Sequence, residues 1–427
     1  MHMPPRCGSA SILTGDRDKL AEISLQRLKP ATWPVSPAQL PTGAVLVGGA
    51  VRDALLNRLT DTPDLDLVVP EGALESTRQL AQKHGGACVV LDETRDMGRL
   101  VLRGWTIDLA RQDGATLEDD LNRRDYRLNA IALSLDGTPQ LIDPTGGLED
   151  LQSGTIVAVE EANLQDDPLR LLRGLRLMAE LEMRMAPLTL SMLRRNRDLL
   201  PKAAPERIQA ELLRLTAAPA ADLTIETLLD LELLKPWTKQ NNTSGDQKIA
   251  GTVKNADLLT DSERLQALPL TRLTQLLPDE GLKELRFSRR QLKRCEQLRH
   301  WIERSTAEQG DPCLEQLSEQ ERLQLHKDLE MDLPALIVTW PKALQQPWLE
   351  RWRDPQDPLF HPHPPVDGTT LLNALPIAAG PALGELIQHL CLERAYGRIS
   401  TGEQALNAAR SWLSHRAVQA DPNGSCD

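Results

Sequence analysis

The stretch VLVGGAVRDALLNRLTDTPDLDLV, residues 45–68, constrains this chain more than any other. An apolar run from Val45 to Val47 meets Gly48 and Gly49, and a short helix carrying Arg52 and Asp53 follows. A second apolar run then presents Asp64 and Asp66. Side chains alternate faces along a strand, so residues two apart point the same way. Asp64 and Asp66 therefore read as adjacent carboxylates, a donor set suited to a hard cation such as Mg²⁺. The Gly48-Gly49 turn lets backbone N–H groups approach an anion at a helix N-terminus, where the helix dipole favours negative charge. Metal carboxylates beside a phosphate cradle point to phosphoryl or nucleotidyl transfer.

Around that motif, residues 43–155 alternate strand and helix signals, with strands expected near 44–48, 65–69, 87–91, 99–103, 105–110, 128–135 and 155–159. This is an α/β unit. From Asp167 onward helices take over, with Leu169, Leu172, Leu175, Met178 and Leu181 at near-helical spacing. Residues 1–42 are Pro-rich, with one amphipathic helix near Asp18 to Leu28, and read as an extension. A polar segment at 238–256 and a Pro-rich one at 354–368 read as joints between helical modules, and residues from Ala420 as a disordered end.

At 427 residues, 41% hydrophobic, the chain has the length for two to four domains. No apolar run approaches the ~18 residues of a membrane span. The first residues carry Arg6, Asp16 and Arg17 without an apolar segment, which reads as no signal peptide. Cys7, Cys88, Cys295, Cys313, Cys391 and Cys426 are scattered with no CxxC pair. They read as reduced thiols of a cytoplasmic protein, neither a disulfide framework nor a zinc site. His361 and His363 lie in a Pro-rich joint and read as incidental rather than metal-binding.

Net charge is −12, which does not advertise a nucleic-acid binder, yet two basic stretches stand against it. One runs from Arg184 to Lys202 and includes Arg194, Arg195 and Arg197; the other, from Arg286 to Arg304, includes Arg289, Arg290, Lys293, Arg294 and Arg299. Each is either a solvated helix face or a phosphate-binding surface, since phosphate needs local positive charge whatever the total.

Two further clusters carry chemistry. In Asn122 to Ala130, Arg123, Arg124 and Asp125 are placed to clamp a triphosphate and a ribose hydroxyl, or form a surface salt-bridge patch. Arginine suits the first role because its planar fork matches phosphate oxygens. The strand in GWTIDLARQ sets Asp108 as a third carboxylate beside Asp64 and Asp66, or as a strand-end charge. In DDPLRLLRGLR, Pro168 is placed at the first helical position after Asp167, so Asp167 reads as an N-cap. It also reads as a neighbour of Arg170 on one helix face. A donating Arg beside an accepting carboxylate complements the pairing edge of C or of A, and opposes those of G and U.

These residues together resemble the class II tRNA nucleotidyltransferase and poly(A) polymerase family. The matches run in order: GGAVRD (48–53), DLD (64–66), RRDYRLNA (123–130), DPTGGLEDL (143–151), DDPLRLLRGLR (166–176) and ERIQAELL (206–213). Resemblance is dense over about 43–215 and weaker over 364–410. It implies an α/β nucleotidyltransferase palm, a mixed sheet with helices, followed by mostly α-helical neck, body and tail. The expected divisions are a head at 43–155, a neck at 156–220, a body at 221–353 and a tail at 354–419. The resemblance also implies Mg²⁺ as cofactor, CTP and ATP as nucleotides and the tRNA 3′ end as primer, with neither membrane nor stable protein partner. On the matching positions it makes Asp64 and Asp66 the metal ligands, and Asp108 joins them as catalytic. Gly48, Gly49, Arg52, Asp53, Arg123, Arg124, Asp125 and Asn129 become phosphate and ribose contacts. Asp167 and Arg170 become the amino-acid template for the base, with Arg173 and Arg176 on the same nucleotide-binding helix. Asp143 to Leu151 corresponds to a segment that flexes between additions, and Glu206 and Arg207 to a motif supporting the template helix. Arg194, Arg195, Arg289, Arg290 and Lys293 are the expected RNA contacts.

The departures are informative. Asp166 stands where the family usually has Glu, and Tyr126-Arg127-Leu128 replaces the usual Phe-Thr-Ile. Only Gln112 to Asp119 separates Arg111 from Asp120. Family members that build all of CCA, or add only A, usually carry a longer flexible loop there. The short form resembles the CC-adding specialists, which leave the terminal A to a partner enzyme. A complete CCA-adding enzyme is the alternative; a poly(A) polymerase usually bears a basic C-terminal extension, and a non-catalytic RNA-binding relative would not need intact carboxylates. No His-Asp doublet is present, so the phosphohydrolase domain fused to some relatives is not expected.

Overall fold

Seven strands build one mixed sheet, and every remaining layer of the first compact unit is arranged around it. The computed structural model describes residues 16–238, 253, 255–305 and 314–420, and it divides into two compact units at Leu233/Leu234. Residues 1–15, most of the polar 238–256 segment, the C-terminal residues 421–427 and Cys7, Cys313 and Cys426 lie outside the described residues.

The sheet strands are β1 (Val45–Val47), β2 (Leu65–Val69), β3 (Ala87–Asp92), β4 (Met97–Leu102), β5 (Trp105–Arg111), β6 (Ala132–Ser134) and β7 (Leu141–Ile142). Their spatial order is β3-β4-β5-β2-β1-β6-β7, with β2 and β5 parallel and the other pairs antiparallel. The helices of this unit are α1 (Arg17–Leu28), α2 (Gly49–Leu55), α3 (Ala73–His84), α4 (Leu117–Asn122) and α5 (Gly147–Ser153). They continue with α6 (Glu161–Asp166), α7 (Leu169–Leu181), α8 (Pro187–Asn196), α9 (Pro205–Ala217) and α10 (Ala221–Asp230). Two short parallel strands, β8 (Thr155–Ile156) and β9 (Arg184–Met185), bracket α6 and α7.

The period of two decides what each sheet face does. Leu65, Leu67, Leu100, Leu102, Ile107 and Leu109 are buried on the face that α3 covers. Gly98 of β4 permits this closeness, because a Cβ there would lie 2.7 Å from the Thr77 hydroxyl of α3. On the opposite face, Val45, Val47, Val68 and Ala132 form a small core with Leu121 of α4. Beyond that core the same face opens, and Val89 and Val101 are 45% and 41% exposed.

The helix expected near Asp18 to Leu28 forms and is part of the packing: Arg27 Nη1 donates to the carbonyls of Ala54 (2.7 Å) and Leu55 (3.1 Å). Those carbonyls lie in the last turn of α2, where i+4 partners run out; Ala54 O also accepts from Asn57 N at 3.2 Å. Leu171, Leu172 and Leu175 of α7 are fully buried among α9 and α10. Gly174 is required there, since a Cβ would fall 2.0 Å from the Tyr126 hydroxyl, which donates to Arg170 O at 2.8 Å.

Two expected strands are shorter than the apolar pattern implied. Arg127–Asn129 is a 3₁₀ turn, closed by Asn129 N to Tyr126 O and Ala130 N to Arg127 O, so the strand begins only at Ala132. The Asn129 side chain bonds to Asp125 at 3.2 Å, a local alternative to strand pairing. The 155–159 strand ends at Ile156.

The second unit is helical: α11 (Lys235–Thr238), α12 (Asp261–Leu276), α13 (Asp279–Glu284), α14 (Arg289–Ser305), α15 (Glu319–Leu329), α16 (Leu333–Ile337), α17 (Lys342–Arg353), α18 (Gly368–Ala374), α19 (Pro381–Ala395) and α20 (Gly402–Ala420). Leu371, Leu375, Leu386, Leu390 and Ile399 make the core of its last three helices. His326 is buried against Trp348 and Phe360, and burial holds its pKa down to about 3. His361 and His363 are spent on the carbonyls of Trp352 and His361. Among the described residues, no helix is long and apolar enough to cross a membrane.

Candidate active site

A single row of residues crosses the open sheet face. By strand register Arg99 of β4 stands beside Asp108 of β5, Asp108 beside Asp66 of β2, and Asp66 beside Val47 of β1. Asp64 lies two residues before Asp66, so the expected carboxylate pair is in place. Burial first and the neighbouring Asp108 next raise the Asp66 carboxyl, Arg124 offsets part of this, and the net result is about 6. Gly48 has φ +73, and a Cβ on it would lie 3.3 Å from Asp66 Oδ2 and 3.7 Å from Arg124 Nη1. The glycine turn, the carboxylate and the guanidinium are thus held against one another, with no room for a side chain between them.

Asp108 is beside the pair as the strand pattern required, but it is engaged elsewhere. Arg99 grips it with two hydrogen bonds of 2.8 Å. Among the described residues there is no group of three or more metal-binding side chains free to hold an ion. Two adjacent carboxylates still fit Mg²⁺, which keeps several waters and takes one or two carboxylates alongside substrate phosphates. The raised Asp66 carboxyl marks negative charge that the protein alone leaves under-compensated.

The second cluster assembles around Asp125. Arg124 bonds to Asp120 (3.0 Å), which directs the rest of its guanidinium toward Gly48. Arg123 is exposed and pairs with Asp113. Asp125 is buried, and burial pushes its carboxyl up, but Arg173, Asn129 and the Tyr126 N–H outweigh this and hold it below its ordinary value. Asn129 also accepts from Arg52 Nη1 at 2.7 Å. Arg52 is 9% exposed at its side chain and is otherwise paired with the partly exposed Asp53, so its guanidinium braces the turn from behind.

The start of the neck helix and its charged residues are fixed by their bonding partners. Asp167 and Arg170 both reach the site's rim, yet they do not pair with each other. Asp167 takes Arg207 Nη2 at 2.8 Å, and Arg170 Nη1 donates to the carbonyls of Arg123 (2.9 Å) and Asn163 (3.0 Å). The helix starts one residue later than expected: Pro168 is the cap, and Asp167 is extended and accepts from Leu169 N at 3.3 Å. Arg176, expected on the nucleotide-binding side, is a buried packing charge. It is 7% exposed, bonded to Glu211 Oε2 at 2.6 Å and paired with Glu180. Arg173 bridges Asp125 (3.3 Å) and Glu211 (3.5 Å). Glu211, Gly174 and Arg99 were not singled out in the sequence; the only signal for Glu211 was its place in ERIQAELL.

Of the expected RNA contacts, Arg195 is held by Glu161 (2.7 Å), whereas Arg194, Arg289, Arg290 and Lys293 are exposed and have no ion-pair partner among the described residues.

Comparison with known proteins follows the same lines. A family model described as the poly A polymerase head domain matches residues 44–157, and one described as a probable RNA and SrmB-binding site of polymerase A matches 182–241. A CC-adding tRNA nucleotidyltransferase of Synechocystis sp. is 32% identical over 402 residues, spanning 88% of this chain and 95% of that one. A CCA-adding enzyme of Lactobacillus johnsonii is 33% identical over 203 residues, 44% of this chain and 50% of that one. A structure of the Thermotoga maritima CCA-adding enzyme complexed with tRNA superposes with TM-score 0.67 at 21% identity, over 93% of this chain and 99% of that one, a likeness of fold.

The Asp66 carboxyl sets a sign for pH. Its folded-state pKa of about 6 exceeds the ordinary carboxylate value, so its contribution to stability is full below that ordinary value and is lost as pH rises through about 6. Asp66→Asn should therefore raise the Tm of the metal-free protein at pH 7.5, at about 2–4 °C per kcal/mol for a unit of this size. The gain should vanish near pH 4, and Mg²⁺ should raise Tm in the wild type only. An equal Tm at pH 7.5 by calorimetry would contradict this.

Proposed function

We propose a specific activity for a chain that belongs to the tRNA nucleotidyltransferase and poly(A) polymerase family: it extends the tRNA 3′ end with cytidines from CTP and halts after two. The reaction forms a bond between the primer 3′-oxygen and the α-phosphorus of CTP and breaks the α–β bridging bond. Pyrophosphate leaves, and the hydroxyl proton passes to solvent.

Asp64 and Asp66 hold Mg²⁺, and the chemistry that ion supplies when bound is Lewis-acid activation of the hydroxyl and neutralisation of the leaving group. Gly48, Gly49 and Arg124 seat the triphosphate, Arg123 reaches its exposed end, and Asp125 with Asn129 orients the ribose side. Arg52 and Asp53 position that turn from behind. Arg170 keeps Nε and Nη2 as donors, and Asp167 is the acceptor, which together fit the pairing edge of C. Arg173 positions Asp125 and does not read the base.

What supports the halt is the connection from β5 to α4. It is five residues, Gln112 to Thr116, and is tied at both ends. Gln112 N donates to Val69 O (2.8 Å), Asp113 N to Asp120 (3.0 Å), and Thr116 and Asp119 form a capping box. A connection so short and bonded has little freedom to remodel the base site between nucleotides. A separate enzyme then supplies the terminal A. Complete CCA addition is the second reading, because the Asp167–Arg170 edge accepts A as well as C and a CCA-adding enzyme is 33% identical over 203 residues.

Each unit offers its own exposed basic surface to RNA: Arg194 on α8 in the first, and the first turn of α14 in the second. Arg289 and Arg290 sit at the positive end of that helix dipole, an arrangement unfavourable to the helix itself and favourable to a phosphate. Lys293 follows one turn on.

With a tRNA transcript lacking CCA, Mg²⁺, CTP and ATP, products read at single-nucleotide resolution should stop at two added cytidines. Extension to CCA would replace the first reading with the second, and no extension would refute both. Arg289→Glu with Arg290→Glu should raise KM for tRNA about tenfold and leave CTP affinity unchanged; unaltered tRNA kinetics would remove α14 from the RNA face.

A further inference from the structure

Arg99 is a cation in the carboxylate row that the family motifs do not include. It lies near enough to Asp64 and Asp66 to feel their charge, and its side chain is 43% exposed while it clasps Asp108. The carboxylates divide the open face in two. On the β1 side stand Gly48 and Arg124, which seat the triphosphate. In-line displacement places the attacking hydroxyl opposite the leaving pyrophosphate. The attacking strand therefore comes over β5, β4 and β3.

That half of the sheet is uncovered and built for a nucleotide. By register, Val89 of β3 stands beside Arg99, and Val101 lies two residues along β4, so all three share the face of Asp108. The two exposed valines give an apolar floor for a sugar or base, and Arg99 rises beside it. A half-exposed ion pair of this kind adds little stability, so an incoming phosphate displaces it at little cost. Arg suits the exchange, since its fork fits two phosphate oxygens as it now fits two carboxylate oxygens.

We propose that Arg99 contacts the phosphodiester of the primer's terminal nucleotide, seated on Val89 and Val101, and releases Asp108 in doing so. The inference rests on the tRNA-extending activity proposed above. Asp108 then joins Asp64 and Asp66 as a third carboxylate only when RNA is in place. Divalent-cation affinity and primer affinity are consequently coupled, each raising the other by the same factor.

The test uses the full chain and the tRNA transcript lacking CCA, with binding measured in EDTA over a range of salt and CTP binding measured separately. Arg99→Ala should weaken RNA binding about tenfold and reduce the slope of log K against log salt by about 0.7, one single-strand phosphate contact. CTP affinity should not change, which also reports intact folding, and Arg99→Lys should restore part of the RNA affinity. Mn²⁺ binding followed by electron paramagnetic resonance should tighten on adding RNA to the wild type, and Arg99→Ala should show tight Mn²⁺ binding without RNA. Unchanged RNA affinity and slope in Arg99→Ala overturn the role of Arg99 and leave the activity standing. If the wild type binds the transcript no better than an unrelated hairpin, the activity itself falls, and this inference with it.

Discussion

A buried, ionised carboxylate ties the sheet that carries Asp66 and Asp108 to the neck helix α7. Asp125 is 6% exposed and takes hydrogen bonds from the Tyr126 N–H (2.7 Å), Asn129 (3.2 Å) and Arg173 (3.3 Å). Asn129 carries the connection back to Arg52 behind the glycine turn, and Arg173 carries it forward to Glu211, which also holds Arg176. Removing one partner from such a network leaves an uncompensated buried charge, a loss of about 3–5 kcal/mol. The phosphate side and the base side of the site therefore stand in one geometry because a single line of charges runs between them. Replacing Asp125 would be felt at both ends.

The sheet uses its two faces for opposite purposes. One face is sealed by α3, with leucine and isoleucine side chains fully removed from water, and supplies the rigidity. The other keeps three carboxylates and Arg99 together, and burial, with repulsion from Asp108 added to it, raises the Asp66 carboxyl. Strain of this kind persists only where the surrounding structure over-determines it. Here the parallel β2–β5 register does so, since it sets Asp66 and Asp108 side by side on one face, and Gly48 lets Arg124 approach them.

Much of this was legible in the residues, and most of what was not depends on partners distant in the sequence. The spacing of Asp64 and Asp66, the glycine turn and the helix expected at Asp18 to Leu28 follow from local rules, and each is present. The partners of the charged groups are not local. Asp167 and Arg170 are three apart and invite a pairing, but Arg207, forty residues on, takes the carboxylate. Arg176 lies on the nucleotide-binding helix but on its buried side, which a motif match does not distinguish. The 3₁₀ turn at Arg127–Asn129 was hidden in an apolar run because a side-chain hydrogen bond outcompeted the strand. Arg99 was invisible for a different reason: only the antiparallel register of β4 on β5 brings it to Asp108.

The account stands or falls on whether the carboxylate pair and the glycine turn receive a metal and a triphosphate together. Anomalous diffraction from a crystal grown with Mn²⁺ and a non-hydrolysable CTP analogue tests this directly. The predicted result is an anomalous peak in direct coordination with Asp64 and Asp66, with the triphosphate over Gly48, Gly49 and Arg124 and the base toward Asp167 and Arg170. A cation bound away from both carboxylates, or a triphosphate seated elsewhere on the unit, would contradict it.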